Sequence, residues 1–355
     1  MRKTISLSVA VLATLLTPQH QSASPGLDLV KLNDRVYAAV RRDPLSLAVN
    51  SNSLIVIRDS DVVVVDAQFT RAATRETIAA IRSVTRKPVR YVINTHWHDD
   101  HLAGDQVYQD SFPGVRFVMQ ANTAADLVTL GAPNRQGTVE GAPPVADRFD
   151  RLLVMGLGID STPVSAQERI AVTSALEIMR QYLREAPGFR DVVADDTVQS
   201  RMTLEGNPRV ELHWFGLGNT RGDLVIDLPD LGIVATGDLV VAPVPFGFNS
   251  NPEEWIGALD SIAALHPRVL LPGHGPVMRD LDYLAAEREM LVRIRDEAKA
   301  AAGRGDSLEA VLATHALDGD RARISGDEKW MNYLFNNFFL YPVLTRVYQA
   351  EKSDQ

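Results

Sequence analysis

Residues 96–101 read His-Trp-His-Asp-Asp-His. The chain has 8 histidines, and three of them fall in this window beside two aspartates. Imidazole and carboxylate are the donors that zinc-like divalent ions prefer. The run follows Val89-Arg90-Tyr91-Val92-Ile93-Asn94, an apolar stretch of β character, and precedes Leu102-Ala103-Gly104. Donors on a tight loop at a strand end can converge on one point. A chain built this way needs other strand ends close by to complete the set. Three solvated surface histidines are the alternative, and the recurrence of metal-type residues downstream argues against it.

Four further positions have the right placement. Asp66 closes the apolar run Val62–Val65. Asp238 sits in Ala235-Thr236-Gly237-Asp238, just after the strand pattern Ile233–Ala235. His274 sits in Pro272-Gly273-His274-Gly275, after Val269–Leu271. Asn219 sits in Gly216-Leu217-Gly218-Asn219-Thr220-Arg221-Gly222-Asp223, after Val210–Phe215. A catalytic metal site needs ligands from several elements and a position left open for water.

The pattern between these points alternates strands and helices. Asp34–Val40 reads as a first strand, and Ser53–Ile57 with Val62–Val65 as a hairpin around Asp59-Ser60-Asp61. Thr70–Val84 has helical apolar spacing with Thr70 as its N-cap. Val115–Met119 reads as a strand and Ala121–Leu130 as a helix. Gly131–Pro144, rich in Gly and Pro, reads as a loop, and Gln167–Glu185 as an amphipathic helix. Leu224–Leu228 is another strand, and Glu253–Leu265 another helix. Beyond residue 280 the pattern turns helical, at Leu281–Ala302, Ser307–His315 and Trp330–Tyr348. The organisation expected is a main domain over 27–280, a helix-and-loop insertion at 131–202 and a helical C-terminal extension over 281–355. The aromatic tail, with Trp330, Tyr333, Phe335, Phe338, Phe339, Tyr341 and Tyr348, suits core packing or a homodimer seam.

Charge and cysteine usage narrow the partners. A net charge of −9 without a dense Lys/Arg run argues against nucleic acid. Residues 1–23 read as a signal peptide: Arg2 and Lys3, an apolar stretch Ile5–Leu16, then Ser22-Ala23-Ser24. The apolar stretch is too short for a comfortable membrane span, so no stable membrane anchor is expected. The protein is expected in the periplasm or secreted. With 0 cysteines, disulfides, thiolate metal sites and cysteine nucleophiles are excluded.

The hairpin ending in Asp66, the His-x-His-x-Asp-His run, Gly237-Asp238 and Gly273-His274-Gly275 together resemble the metallo-β-lactamase superfamily. The resemblance covers roughly residues 30 to 280. It implies an α/β (α+β) fold, a four-layer αββα sandwich with the site at one edge. By that resemblance His96 and His98 would bind a first metal. Asp100, His101 and His274 would bind a second, and Asp238 would bridge the two. Asp66 would stand behind the histidine loop and hold it. Zinc is the implied cofactor, as one or two ions. The family's third first-site histidine is here Asn219, a weaker ligand, so the second site is expected to fill first. Asn219 remains a doubtful ligand.

The implied activity is hydrolysis of an amide, lactam, lactone or ester carbonyl by a hydroxide held on the metal, with Asp100 or Asp238 orienting it. A β-lactam is one candidate substrate. An iron-dependent oxidoreductase on the same fold and a non-catalytic metal-binding protein are the alternatives. A small-molecule substrate is the expected partner. Trp97, Arg221, Phe246 and Phe248 are the candidate substrate contacts, with Arg221 placed to meet a carboxylate or to pair with a loop acid.

Overall fold

The computed structural model describes residues 26–42, 50–313, 317–326 and 328–353. The segment 1–23, expected as a signal peptide, and the end of the helix expected at Ser307–His315 lie outside the described residues.

Two sheets carry the fold. The first holds β1 (Leu27–Lys31), β2 (Val36–Arg41), β3 (Ser53–Ile57), β4 (Val62–Val65), β5 (Val89–Ile93), β6 (Arg116–Gln120) and β7 (Asp196–Val198), side by side in that order. Strands β1 to β4 pair antiparallel, and β4 to β7 parallel. The second holds β8 (Arg201–Leu204), β9 (Val210–Trp214), β10 (Leu224–Leu228), β11 (Ile233–Val241) and β12 (Val269–His274), in the order β12-β11-β10-β9-β8. Only β11 and β12 run parallel there.

The period-two alternation of each strand decides what packs on which face. Leu54, Val56, Val63 and Val65 of the first sheet share one core with Leu224, Ile226, Leu228 and Ala235 of the second. The intervening residues face outward. Ile55, Val62 and Val64 pack under the helix Arg71–Val84, through Ile78 and Ile81. Val225, Val234 and Leu270 pack under the helix Pro252–Ala264, through Trp255, Leu259 and Ile262. Both faces of both sheets are therefore covered, which gives the layers helix, sheet, sheet, helix. Every residue of β4 and β11 is buried, so their continuous apolar runs are what a doubly covered strand requires.

The strands Leu27–Lys31, Asp196–Val198 and Arg201–Leu204 were not marked by the sequence pattern, and two segments near the site depart from it further. Gly131–Pro144 is not a loop: Ala132–Val154 is one helix, with Pro143 and Pro144 inside it. Its composition opposes helix, but tertiary contacts outweigh propensity. Arg135 is buried, Ala146 is buried, and Phe149 and Leu153 pack against the helical core. The five residues before it, Leu127–Gly131, form a π turn, in which Ala132 N–H reaches Leu127 O. The wider turn makes room for Pro133, which lacks an N–H and would crowd a normal preceding turn. The second departure is β11, which continues past Ala235 to Val241 through a register shift at Gly237.

The C-terminal extension packs on the second sheet's helical side. Asp282–Arg304 is a helix, and Lys329–Leu334, Phe335–Leu340 and Tyr341–Ser353 run on as one, π-wound in the middle ahead of Pro342. Trp330, Phe335, Phe339, Val343 and Leu344 are buried against Trp255 and the rest of the same core. The apolar face read as a homodimer seam is thus used within the chain. Among the described residues no helix is long and apolar enough to cross a membrane.

Candidate metal centre

The parallel pairing of β4 with β5 sets Val65 beside Ile93, so the residues following both strands emerge together. Asp66 takes φ 62°, and its N–H bonds Ile93 O at 2.9 Å. This turn aims its carboxylate at the start of the histidine loop. Asp66 Oδ1 accepts from Thr95 N–H at 2.8 Å, and Oδ2 accepts from the Thr95 hydroxyl at 2.9 Å and from His101 Nδ1 at 2.8 Å. With Nδ1–H so committed, His101 presents Nε2 to the centre. Asp238 lies within β11, just past the register shift at Gly237, and His274 is the last residue of β12. Gly273 leaves them room: a Cβ there would stand 2.0 Å from Asp238 Oδ1.

Two donor clusters result, and Asp238 belongs to both. One holds Asp100, His101, Asp238 and His274; the other holds His96, His98 and Asp238. His101 Nε2 lies 3.2 Å from Asp238 Oδ1 and 3.4 Å from Asp100 Oδ2. His274 Nε2 lies 3.0 Å from Asp100 Oδ2 and 3.5 Å from Asp238 Oδ1. His96 Nε2 lies 2.9 Å from His98 Nδ1 and 3.8 Å from Asp238 Oδ2.

Tautomers follow from the neighbours. The Thr95 hydroxyl gives its one proton to Asp66, so at 3.0 Å it accepts from His96 Nδ1–H. Asn249 Oδ1 accepts from His98 Nε2–H at 3.3 Å. Both bonds leave a bare lone pair on the facing nitrogens of His96 and His98. Two acceptors at 2.9 Å repel unless a cation lies in reach of both. In the other cluster His101 Nε2 and Asp238 Oδ1 are buried without a hydrogen-bond partner among the described residues. Unsatisfied buried polar atoms cost about 1–3 kcal/mol each. The donor set therefore fits a divalent ion.

The charges agree. Burial holds the His96 and His98 imidazoles below their ordinary pKa, with the nearby His101 charge adding to both shifts. Burial opposes the charged form of Asp100, but His101 and His274 outweigh it and hold the carboxyl well below the usual range. Burial likewise opposes charge on Asp238, and His101 and His274 again outweigh it. Burial lowers His101, while Asp238, Asp66 and Asp100 raise it further than burial lowers it. The cluster thus holds two ionised carboxylates.

The centre opens on a cleft of ≈ 270 Å³, bordered by His98, Asp100, Asp238, His274, Phe246 and Met179. Asp100 is the more accessible carboxylate, its side chain 21% exposed against 5% for Asp238. Of the expected substrate contacts, Phe246 lines this cleft. Phe248 is 47% exposed and lies outside it, 6.3 Å from the Phe246 ring. Trp97 is buried among Leu102, Met119 and Leu127, edge-on to His98, and is closed to a substrate. Arg221 is paired with Asp126 through two nitrogens, and it does not border the cleft. Asn219 Nδ2 donates to Phe246 O at 2.6 Å, which leaves Oδ1 buried and without a partner among the described residues.

Sequence reasoning did not single out four residues of the wall, three of them from the insertion. Phe69, Asn134, Thr138 and Met179 border the cleft. Phe69 stacks flat on Tyr182 at 4.2 Å. Asp99 is buried and bonded to Arg135 and Tyr182. The apolar period of Gln167–Glu185 was the signal for Met179 and Tyr182; nothing local marked Asn134 or Thr138.

The metallo-beta-lactamase superfamily model matches residues 47–274. A linear primary-alkylsulfatase of Pseudomonas sp. (strain ATCC 19151) is 23% identical over 257 residues, 66% of this chain and 44% of the alkylsulfatase. The chain thus spans less than half the length of that relative. A metallo-beta-lactamase type 2 of Bacillus cereus is 22% identical over 237 residues, 65% of this chain and 69% of the relative. The solved metallo-beta-lactamase from Pontibacter korlensis superposes with a TM-score of 0.54 at 20% identity, covering 75% of this chain and 99% of that one. That likeness is one of fold.

Proposed function

The chain belongs to the metallo-β-lactamase superfamily, and from that premise we propose that it is a zinc-dependent hydrolase of an ester, lactone, lactam or amide carbonyl. Its relatives are hydrolases, and the metallo-hydrolase kind is common to them and to this chain. The observation that carries the reading is the pair of donor clusters that share Asp238 and open on one cleft.

His96, His98 and Asp238 would hold one ion, and Asp100, His101, His274 and Asp238 the other. Bound zinc would supply an acidified water and a Lewis acid for the carbonyl. The chain's own groups do the rest. Asp66 keeps His101 in the tautomer that offers Nε2. Ionised Asp100, exposed to the cleft, accepts a hydrogen bond from the attacking water and orients its lone pair toward the substrate carbon. Asp238 does the same from the floor of the cleft. Phe246 and Met179 limit the water beside the reacting group. The four-residue cluster has one more donor than the other, which supports its filling first.

A sulfate ester is the second reading, favoured by the similarity to the alkylsulfatase. The test is a panel on zinc-loaded and chelator-stripped protein: nitrocefin, a lactone, a carboxylic ester, a thioester and an alkyl sulfate. Zinc-dependent turnover of a carbonyl substrate is expected. Turnover of the sulfate alone moves the reading to sulfatase, and no turnover of any overturns it. Stoichiometric iron with little zinc in protein purified without added metal would overturn the choice of zinc. The N-terminal segment 1–23 supports export to the periplasm or medium; a mature protein still carrying Met1 would sink that.

A further inference from the structure

The metal cleft and a second, apolar cavity share their walls. The helix Ala132–Val154 gives Asn134 and Thr138 to the cleft, and Ala142, Ala146 and Phe149 to the cavity. These positions recur every three to four residues, so they form one stripe along the helix. The helix Ala166–Glu185 gives Val172 and Leu176 to the cavity, and Met179 borders both spaces. Phe246 of the cleft meets Phe338 of the cavity edge-on, ring centroids 5.5 Å apart. Three elements therefore run without a break from the metal centre into the cavity.

The cavity holds ≈ 210 Å³, and carbon dominates its lining. Water there would find few of the partners it needs. At about 30 Å³ per heavy atom, the share of one liquid water, the space takes roughly seven carbons.

We propose that this cavity receives an unbranched apolar tail, so that the substrate is an ester or lactone whose reacting carbonyl lies over the metal centre and whose alkyl chain passes Met179. The identity of the head rests on the hydrolase reading above; the tail rests on the cavity alone. Met179 is the passage, and its unbranched, flexible side chain suits a varying chain length.

The test is calorimetric titration of zinc-loaded protein with straight-chain alkanoates from butanoate to dodecanoate. Affinity should rise about fourfold per methylene until the cavity is full, then level off. Ala175→Trp, at a half-buried lining position, should flatten the series and leave butanoate binding unchanged. Val145→Glu sets a charge at an exposed lining position and should weaken only the long chains, whether or not the tryptophan variant folds. A flat series in the unsubstituted protein, or an unaltered slope in folded Ala175→Trp or Val145→Glu, overturns the proposal. Hydrolysis of a short acetate ester is followed in parallel. A steep binding series without turnover rejects the hydrolase and keeps the tail site; turnover with a flat series does the reverse.

Discussion

Arg135 holds Asp99 with two nitrogens, Nη2 at 2.8 Å and Nε at 3.1 Å from Oδ1. The Tyr182 hydroxyl donates to Asp99 Oδ2 at 2.7 Å. The carboxylate lies inside the histidine run, while its partners lie on the two helices of the insertion. One buried acid thus ties the metal loop to the wall of its cleft. The Arg135 guanidinium also sits 3.8 Å from the centroid of the Phe189 ring.

Arg135→Ala leaves Asp99 buried with one hydroxyl partner. Removing one member of a buried ion pair costs about 3–5 kcal/mol. We expect a clear drop in Tm and a raised KM, since the helix that carries Asn134 and Thr138 loses its anchor. A Tm within a degree of the parent would show that the pair does not hold the insertion.

Asp66→Asn tests the support of the four-residue cluster. Asn tolerates the positive φ of Asp66, so the backbone is spared. The variant cannot take the His101 Nδ1 proton as a carboxylate does. Loss of such a partner weakens a metal site about 10–100-fold. Competition with a chelator should show that loss at one ion and little change at the ion held by His96 and His98. Equal weakening at both would argue that Asp66 acts on the whole loop rather than on His101.

Asn219→His tests the departure in the other cluster. Phe246 O can only accept, so it fixes the Asn219 amide with Oδ1 free. An imidazole is the stronger zinc ligand. The affinity of the His96 and His98 ion should rise by about tenfold or more, as befits a ligand when even an outer partner is worth that much. Unchanged affinity at both ions would place residue 219 outside the ligand set.

How far the residues alone reached depends on the range of the forces involved. The histidine run, Asp66 and His274 were legible because each follows or ends a strand whose apolar period is local, and Asp238 because the run Ile233–Ala235 leads into it, although that strand continues to Val241. The four layers were implied by the family resemblance, and the alternation of Leu54 and Val56 against Ile55 is what builds them. The helix Ala132–Val154 was not legible, because its glycines and prolines oppose helix and only Arg135, Ala146 and Phe149 hold it in place. The surroundings of Trp97 and the acid that pairs with Arg221 were not legible for a related reason. Leu127 and Asp126 belong to a segment whose path no local pattern reveals.

Glu287 is fully buried, and neither carboxylate oxygen has a partner among the described residues. Burial pushes its pKa well above the ordinary value, and the Asp238 charge adds to the shift. The folded chain therefore keeps Glu287 protonated where the unfolded chain, with a pKa of about 4.3, has ionised it. The unfolded state then binds fewer protons, so stability falls as the pH rises above that value. Its contribution is fully present below the unfolded pKa and is lost progressively above it, up to the folded pKa. Glu287→Met removes both the unpartnered oxygens and the linked proton. Its Tm should exceed the parent's by roughly a few degrees more at pH 8 than at pH 5. The comparison holds metal content fixed, so the pH dependence of metal binding cancels. A gain that stays constant or shrinks with rising pH would mean that Glu287 is ionised, and paired, in the folded protein.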